Sequence, residues 1–452
     1  MGPNTTATDV LAPMSDLQRH WWGRERLFPD PGLVMCTLGR VRGAVDVTLL
    51  EAAAEAVVRR HEALRTNFGR VDGVPVQIIH ESPAQPVTWF RDISGTPESA
   101  RVAVLRELAD AEQNRSLDLA SAPLMRLGVV RCAEKDFVLV LTLHHIIADG
   151  WAVGVLWREL SHEYAQLLRG GIGCARAPGP RPPQLRDWVA HERRTARGPK
   201  AAREISHWGR VLREVRPLHV PHDLPGADRP ARRKPCTHGF DLPQHTHDAL
   251  VASAKGFRAT PHMVAMAAFM KLLSRHVDRP DVAVMTLFNR RASPETVDLV
   301  GCVLNFAVIA AVVPPGGEAA PLVQNVRSAL LDAYENQDIC AQNIWQEVGF
   351  APASVDVMFI FDQGTPDSGG ASLGGVGVEP YTDVEEDEGE RFGGASTPGI
   401  KFRLGLTPGR LTGAVGYDSN LYSRSFIETF VTAYGDLLAG ITADRGSRGR
   451  RS

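Results

Sequence analysis

Apolar positions along this chain alternate between two periods. Short runs rich in Val, Ile and Leu predict strands at Leu33–Val41, Val74–His80, Leu124–Val130 and Phe137–His145. Between the first two, Leu50, Ala53, Ala54, Val57 and Val58 recur at helical spacing, and Asp46 stands where an N-cap is expected. A second helix is predicted from about Trp151 to Arg169, ended by Gly170-Gly171. "APGPRPPQ" (Ala177–Gln184) carries four prolines in eight residues and marks a crossing between domains. Beyond it, Thr260-Pro261 opens a helix through "HMVAMAAFMKLLSRHV". Strands are expected at "DVAVMTLF", "NFAVIAAVV", "VDVMFIF", "IKFRLGL" and "LTGAVGY". Thr365–Gly399 is Gly-rich and acidic and reads as a mobile loop. Its "DVEEDEGE" run is a solvated acidic face rather than a metal site.

This is a mixed α/β pattern, long enough for two subdomains. The expected division is a disordered N-terminus at 1–12, a first subdomain at 13–180, a second at 181–442 and a disordered basic tail at 443–452.

Composition narrows the function. With 44% hydrophobic and 23% charged residues the chain is globular. A formal net charge of -2 gives no reason to expect nucleic acid as a partner. No apolar run approaches 18 residues, so no membrane span is expected. Cys36, Cys132, Cys174, Cys236, Cys302 and Cys340 are scattered without a C-x-x-C pair. Neither a zinc knuckle nor a disulfide framework is readable, and a reducing cytoplasm is the expected compartment.

The candidate chemistry lies in "LTLHHIIADGW" (Leu141–Trp151). If the strand continued through His145, His144 and His145 would face opposite sides, so the pair would not chelate one metal. One reactive and one supporting imidazole is the useful reading. Asp149 can cap the following helix or pair with a distant arginine, and Gly150 allows close backbone approach or an unusual φ. A base beside helix N-terminal donors suits acyl transfer. Pattern alone leaves a second reading open, in which both histidines are satisfied core residues.

H-H-x-x-x-D-G followed by an aromatic-rich helix resembles the condensation domains of non-ribosomal peptide synthetases, within the chloramphenicol-acetyltransferase-like superfamily. The resemblance covers nearly the whole chain. It includes Ser15, Gln18 and Trp22 or Trp21 of "PMSDLQRHWW", "RRHEALRTNF" (Arg59–Phe68), "LDLASAPLMR" (Leu117–Arg126), "LRDWVAHE" (Leu185–Glu192) and "NRRASPETVDLVGCVLNF" (Asn289–Phe306).

The resemblance implies two chloramphenicol-acetyltransferase-like subdomains in a V-shaped pseudo-dimer, with the active site in the tunnel between them. It implies His145 as the catalytic base, with His144, Asp149 and Gly150 as motif support. Arg291 would be the salt-bridge partner of Asp149 across the subdomain boundary, with Arg290 the adjacent alternative. Trp151 and Asn305 are candidates to line the tunnel, and His61, Arg65 and Arg126 are scaffold residues. No cofactor or metal is expected. The donor acyl group would arrive on the 4'-phosphopantetheine of a separate carrier protein, and a small-molecule acceptor amine or alcohol would attack it. The chain is expected to be a monomeric, free-standing enzyme forming an amide or ester.

Val303 and Phe306 replace an aromatic and a threonine of the family pattern, the arginine expected near Ala310 is absent, and Ala152 replaces a serine. These changes at positions that line or flank the family's channel tilt the reading toward a non-peptide acceptor. Two other functions compete. One is an acyltransferase using a soluble acyl-coenzyme A donor. The other is a non-catalytic recruitment module, against which the intact His144–Gly150 motif argues.

Overall fold

The computed structural model describes residues 8–27, 33–82, 85, 87–171, 181–224, 234–291, 293–362, 371–381 and 399–443. They form two compact units. The first draws on Met1–Arg194, Arg291–Val303 and Thr365–Asp387; the second on Thr195–Arg290, Leu304–Gly364 and Glu388–Ser452.

The first unit contains, in chain order, β1 (Val10–Pro13), α1 (Asp16–Glu25), β2 (Val34–Val41), α2 (Val47–Arg60), β3 (Thr66–Val71), β4 (Val74–Ile79), β5 (Thr88–Asp92), α3 (Glu98–Asn114), β6 (Met125–Ala133), β7 (Asp136–His144), α4 (Gly150–Gly170) and α5 (Leu185–Thr195). Later segments return β12 (Ser372–Leu373) and β13 (Val376–Pro380) to it. Its six-stranded sheet runs β12-β13-β2-β7-β6-β5, and β1-β4-β3 form a smaller sheet. Strand β7 lies between β2 and β6 and is buried from Phe137 to His144, as its continuous apolar run demands. Asp46 accepts the Leu49 N–H at 3.0 Å and starts α2, whose buried stripe is Leu50, Ala53, Ala54, Val57 and Val58.

The second unit contains α6 (Pro199–Glu214), β8 (Pro235–Leu242), α7 (Gln244–Phe257), α8 (Pro261–Val277), β9 (Asp281–Asn289), β10 (Leu304–Val312), α9 (Ala319–Glu335), α10 (Ala341–Val348), β11 (Val357–Asp362), β14 (Ile400–Thr407), β15 (Arg410–Asp418) and α11 (Arg424–Ala443). Its sheet runs β10-β9-β11-β14-β15-β8. Thr260 caps α8, and every residue from Met263 to Met270 is buried. A helix apolar on all sides has to be a core helix. Here it packs with α9 and α11 around Phe269, Phe359, Phe402, Phe430 and Tyr434.

Several expectations need correction. The N-terminus is not structureless throughout 1–12. Val10–Pro13 pairs with β4, Gln77 donates to the Pro13 carbonyl at 2.7 Å, and Asp9 holds His80 at 2.9 Å. Residues 1–7 lie outside the described residues, as do 444–452 of the basic tail.

The segment read as a mobile loop contains β13, antiparallel to β2. It can lie there because Gly39 and Gly43 have no Cβ. A Cβ at Gly39 would come within 2.5 Å of Val378, and one at Gly43 within 2.6 Å of Val376. The acidic run 383–390 lies outside the described residues.

The two units also differ from the expected division at 180/181. Helix α5 packs with the first unit: Leu185 fills the space beside Gly301, and Glu192 accepts the Asp16 N–H at 3.1 Å. Helix α3 and strands β5 and β8 carried no expectation, although the two strands complete the six-stranded sheets.

Candidate active site

Strand β7 ends at His144, and residues 145–147 turn before Asp149 starts α4. The two histidines therefore separate by the end of a strand rather than by alternation within it. The His144 N–H reaches the Leu124 carbonyl of the strand on one side at 3.0 Å. The His145 N–H crosses to the Leu33 carbonyl on the other at 2.6 Å.

Hydrogen bonding assigns opposite tautomers to the two rings. The Ile146 N–H donates to His144 Nδ1 at 3.0 Å, so that nitrogen carries no proton. Nε2 must then be the donor, and it faces the Glu25 carboxylate at 2.9 Å. His144 is fully buried with both nitrogens engaged. In His145 it is Nδ1 that faces a carbonyl, Ala148 O at 2.9 Å, so Nδ1 donates. Nε2 keeps its lone pair and has no partner among the described residues. The residue is half-buried, its ring lies edge-on to Trp21 with centroids 5.1 Å apart, and Cys302 Sγ lies 3.8 Å from Nδ1. Burial lowers the basicity of His145 below the ordinary imidazole value, while the Asp149 carboxylate acts in the opposite direction.

Asp149 serves both of the roles considered for it. One oxygen accepts the Ala152 N–H at 2.9 Å as the N-cap of α4. The other accepts Arg291 Nη1 at 2.7 Å and the Val303 N–H at 3.1 Å. Arg291 also donates to the carbonyls of Leu299 and Gly301 at 3.1 and 2.9 Å. The pair does not cross a unit boundary, because Arg291–Val303 belongs to the first unit. Arg290 turns to the Asp338 carbonyl in the second unit, which removes it as the alternative anchor.

Gly150 is exposed, its φ is not positive, and a Cβ there would meet nothing within 4 Å. The described structure therefore gives no steric reason for glycine; what it offers is open space at the start of α4. The Ala152 and Val153 N–H groups are taken by Asp149, so only the Gly150 and Trp151 amides remain as first-turn donors. Trp151 spends its indole N–H on the Val297 carbonyl at 2.8 Å. Asn305 is not a lining residue. Its buried amide donates to Gln337 O and Ile339 O and accepts from the Phe306 and Ala341 N–H groups. Val303 and Ala152 are fully buried, so those two departures from the family pattern are packing changes; Phe306 is half-buried, with its ring 6.1 Å from that of Trp345. Arg126 holds Glu112 at 2.5 Å, Arg65 donates to the His80 carbonyl, and buried His61 lies 3.9 Å from Glu159. Among the described residues no three His, Cys, Asp or Glu side chains are placed to hold a metal, and no helix is long and apolar enough to cross a membrane.

Sequence reasoning did not single out Glu25 or Cys302. The α1 segment was visible as a motif, but its contacts with the turn were not. Trp21, not Trp22, reaches His145; Trp22 stacks with Arg26 and Arg70 instead.

The sequence matches the condensation domain family over residues 10–448. The chain belongs to that family. This condensation domain is 30% identical to phosphinothricin tripeptide synthetase PhsB of Streptomyces viridochromogenes, over 94% of its own length and 35% of that protein. It is 28% identical to a linear gramicidin synthase polypeptide of Brevibacillus parabrevis, over 96% of its length but only 8% of that synthase. It thus spans a minor part of these curated relatives. Among solved structures, it resembles the first condensation domain of the calcium-dependent antibiotic synthetase (TM-score 0.81, 19% identity, 96% and 97% of the two chains). It also resembles SgcC5 of Streptomyces globisporus (TM-score 0.77, 24% identity, 95% and 98%). These neighbours share the mixed helix-and-sheet condensation fold.

Proposed function

We propose that this condensation domain joins an acyl thioester to an amine or alcohol. The acceptor attacks the thioester carbonyl, its proton passes to His145 Nε2, and the C–S bond breaks to release the thiol. The observation that carries this reading is the tautomer of His145. With the Nδ1 proton held on Ala148 O, the lone pair is on the ring nitrogen that has no protein partner among the described residues. His144 cannot take that role because both its nitrogens are engaged. The donor is delivered on the 4'-phosphopantetheine of a separate carrier protein, and the acceptor is a small molecule. The open amides at the start of α4 are the donors available to a developing oxyanion.

The test supplies carrier-loaded acyl donors in trans with paired amine and alcohol acceptors. Aryl ethanediols are a reasonable start for the alcohol arm, because the SgcC5 structure holds a naphthyl ethanediol. Removal of the imidazole in His145→Ala should lower turnover roughly 100-fold or more. The rate should fall as pH drops through the His145 pKa, below the ordinary imidazole value, because the protonated ring cannot accept a proton. Near-wild-type turnover by His145→Ala would refute the base assignment. Equal or better use of the coenzyme A thioester would move the chain to a soluble-donor acyltransferase.

A further inference from the structure

One face of α1 makes three contacts with the turn that carries the reactive histidine. Gln18, Trp21 and Glu25 are spaced at i, i+3 and i+7, so they share that face. Gln18 Nε2 donates to the Ile146 carbonyl at 3.1 Å. Trp21 meets the edge of the His145 ring. Glu25, in the last turn of the helix, reaches His144 Nε2 at 2.9 Å.

The Glu25 contact has a directional consequence. A carboxylate facing Nε2 keeps the proton on that nitrogen. His144 Nδ1 is then available as an acceptor, and it takes the Ile146 N–H at 3.0 Å. That bond, with the one from Gln18, fixes Ile146 on both its N–H and C=O sides. Two residues later the same turn presents the Ala148 carbonyl that holds the His145 Nδ1 proton. If Nδ1 of His144 were protonated instead, it would face the Ile146 N–H donor to donor, and the turn would have to move.

We propose that Glu25 is a positioning residue for the reaction, acting through His144 and the 145–148 turn to hold His145 in the tautomer whose Nε2 is free to accept a proton. The inference rests on the reading of His145 as the base. Glu25 touches no reacting atom. Its side chain is 17% exposed beside a fully buried His144, so it is shielded enough to hold one geometry.

The proton arrangement can be read without any substrate. Histidine labelled with 15N, with resonances assigned through His144→Gln and His145→Gln, reports the tautomer of both rings in the resting protein. In the wild type, His145 should carry its proton on Nδ1 and His144 on Nε2. Glu25→Ala should give a tautomer mixture at both rings, with kcat reduced roughly 10- to 100-fold and KM within about threefold, in line with the cost of misplacing a catalytic group. Glu25→Gln retains an acceptor for His144 Nε2. It should keep the wild-type tautomers and stay within about threefold of wild-type kcat. The proposal is overturned if Glu25→Ala leaves the His145 tautomer unchanged, whatever happens to activity, or if Glu25→Gln scrambles it as the alanine does. Failure of the base assignment would look different: His145→Ala would remain active while the Glu25 variants still changed the tautomers.

Discussion

Replacing Asp149 by asparagine removes a charge and one acceptor from a carboxylate that receives three N–H groups: Ala152, Val303 and Arg291 Nη1. An amide has a single oxygen. If that oxygen keeps the cap on Ala152, the NH2 group faces two further donors. If it turns toward Arg291, the helix loses its cap, worth about 1 kcal/mol. Either way the guanidinium remains inside the protein, because Arg291 and Asp149 side chains are only 2% and 0% exposed. Breaking one side of such a pair costs about 3–5 kcal/mol. At about 2–4 °C per kcal/mol for a unit of 150–250 residues, the melting temperature should fall by roughly 6–20 °C. Calorimetry and urea denaturation of Asp149→Asn, Arg291→Met and the double variant give the measurement. The double variant should cost less than the sum of the singles, because removing both partners leaves no orphaned charge. An Asp149→Asn protein with unchanged stability but lost turnover would refute this account and put the carboxylate in the reaction itself.

Two further expectations concern stability elsewhere. Burial against Phe359 and Phe361 holds His262 at about 4, against an ordinary value of 6.5. As pH falls the unfolded chain binds this proton first, so stability is complete above about 6.5 and declines between there and about 4. His262→Phe should remove that decline, roughly 3 kcal/mol, seen as a smaller loss of urea midpoint between about pH 7 and about pH 4.5. Gly39→Ala places a Cβ about 2.5 Å from Val378 and should cost about 1–3 kcal/mol by overpacking. Val378→Ala in the same chain should recover most of the loss in urea denaturation; no recovery would mean the clash is relieved some other way.

The elements buried on every side were legible in the sequence because continuous apolar runs leave few other options. Strand β7 and helix α8 are the clearest cases. The motif itself was legible; that Arg291 answers Asp149 was implied only by the family resemblance, which left Arg290 as the alternative. Composition misled at β13. "VGVEP" alternates like an edge strand, but it is embedded in glycine and acid, and its partner β2 lies more than 300 residues earlier. Glu25 was hidden for a related reason. Nothing near it in the chain hints at a carboxylate on an imidazole 119 residues away. The tautomers could not be read at all, since they depend on which backbone groups face each ring.

Residues 291–303 leave the second unit's sheet at the end of β9 and re-enter it at β10, its hydrogen-bonded neighbour. The excursion belongs to the other unit, where it brings Arg291 to Asp149 and Val303 to the same carboxylate. The order of synthesis then matters. A nascent chain that has reached Arg194 already holds the histidines, Asp149 and the α4 helix, yet its buried carboxylate has no cation. Roughly a hundred further residues must leave the ribosome before that charge is answered, and β13 follows later still. The first unit therefore receives its last segments only after much of the second has been made, unlike domains in tandem, which generally fold one after another. The turn that carries His144 and His145 is among the earlier parts to be made and among the later ones to be secured.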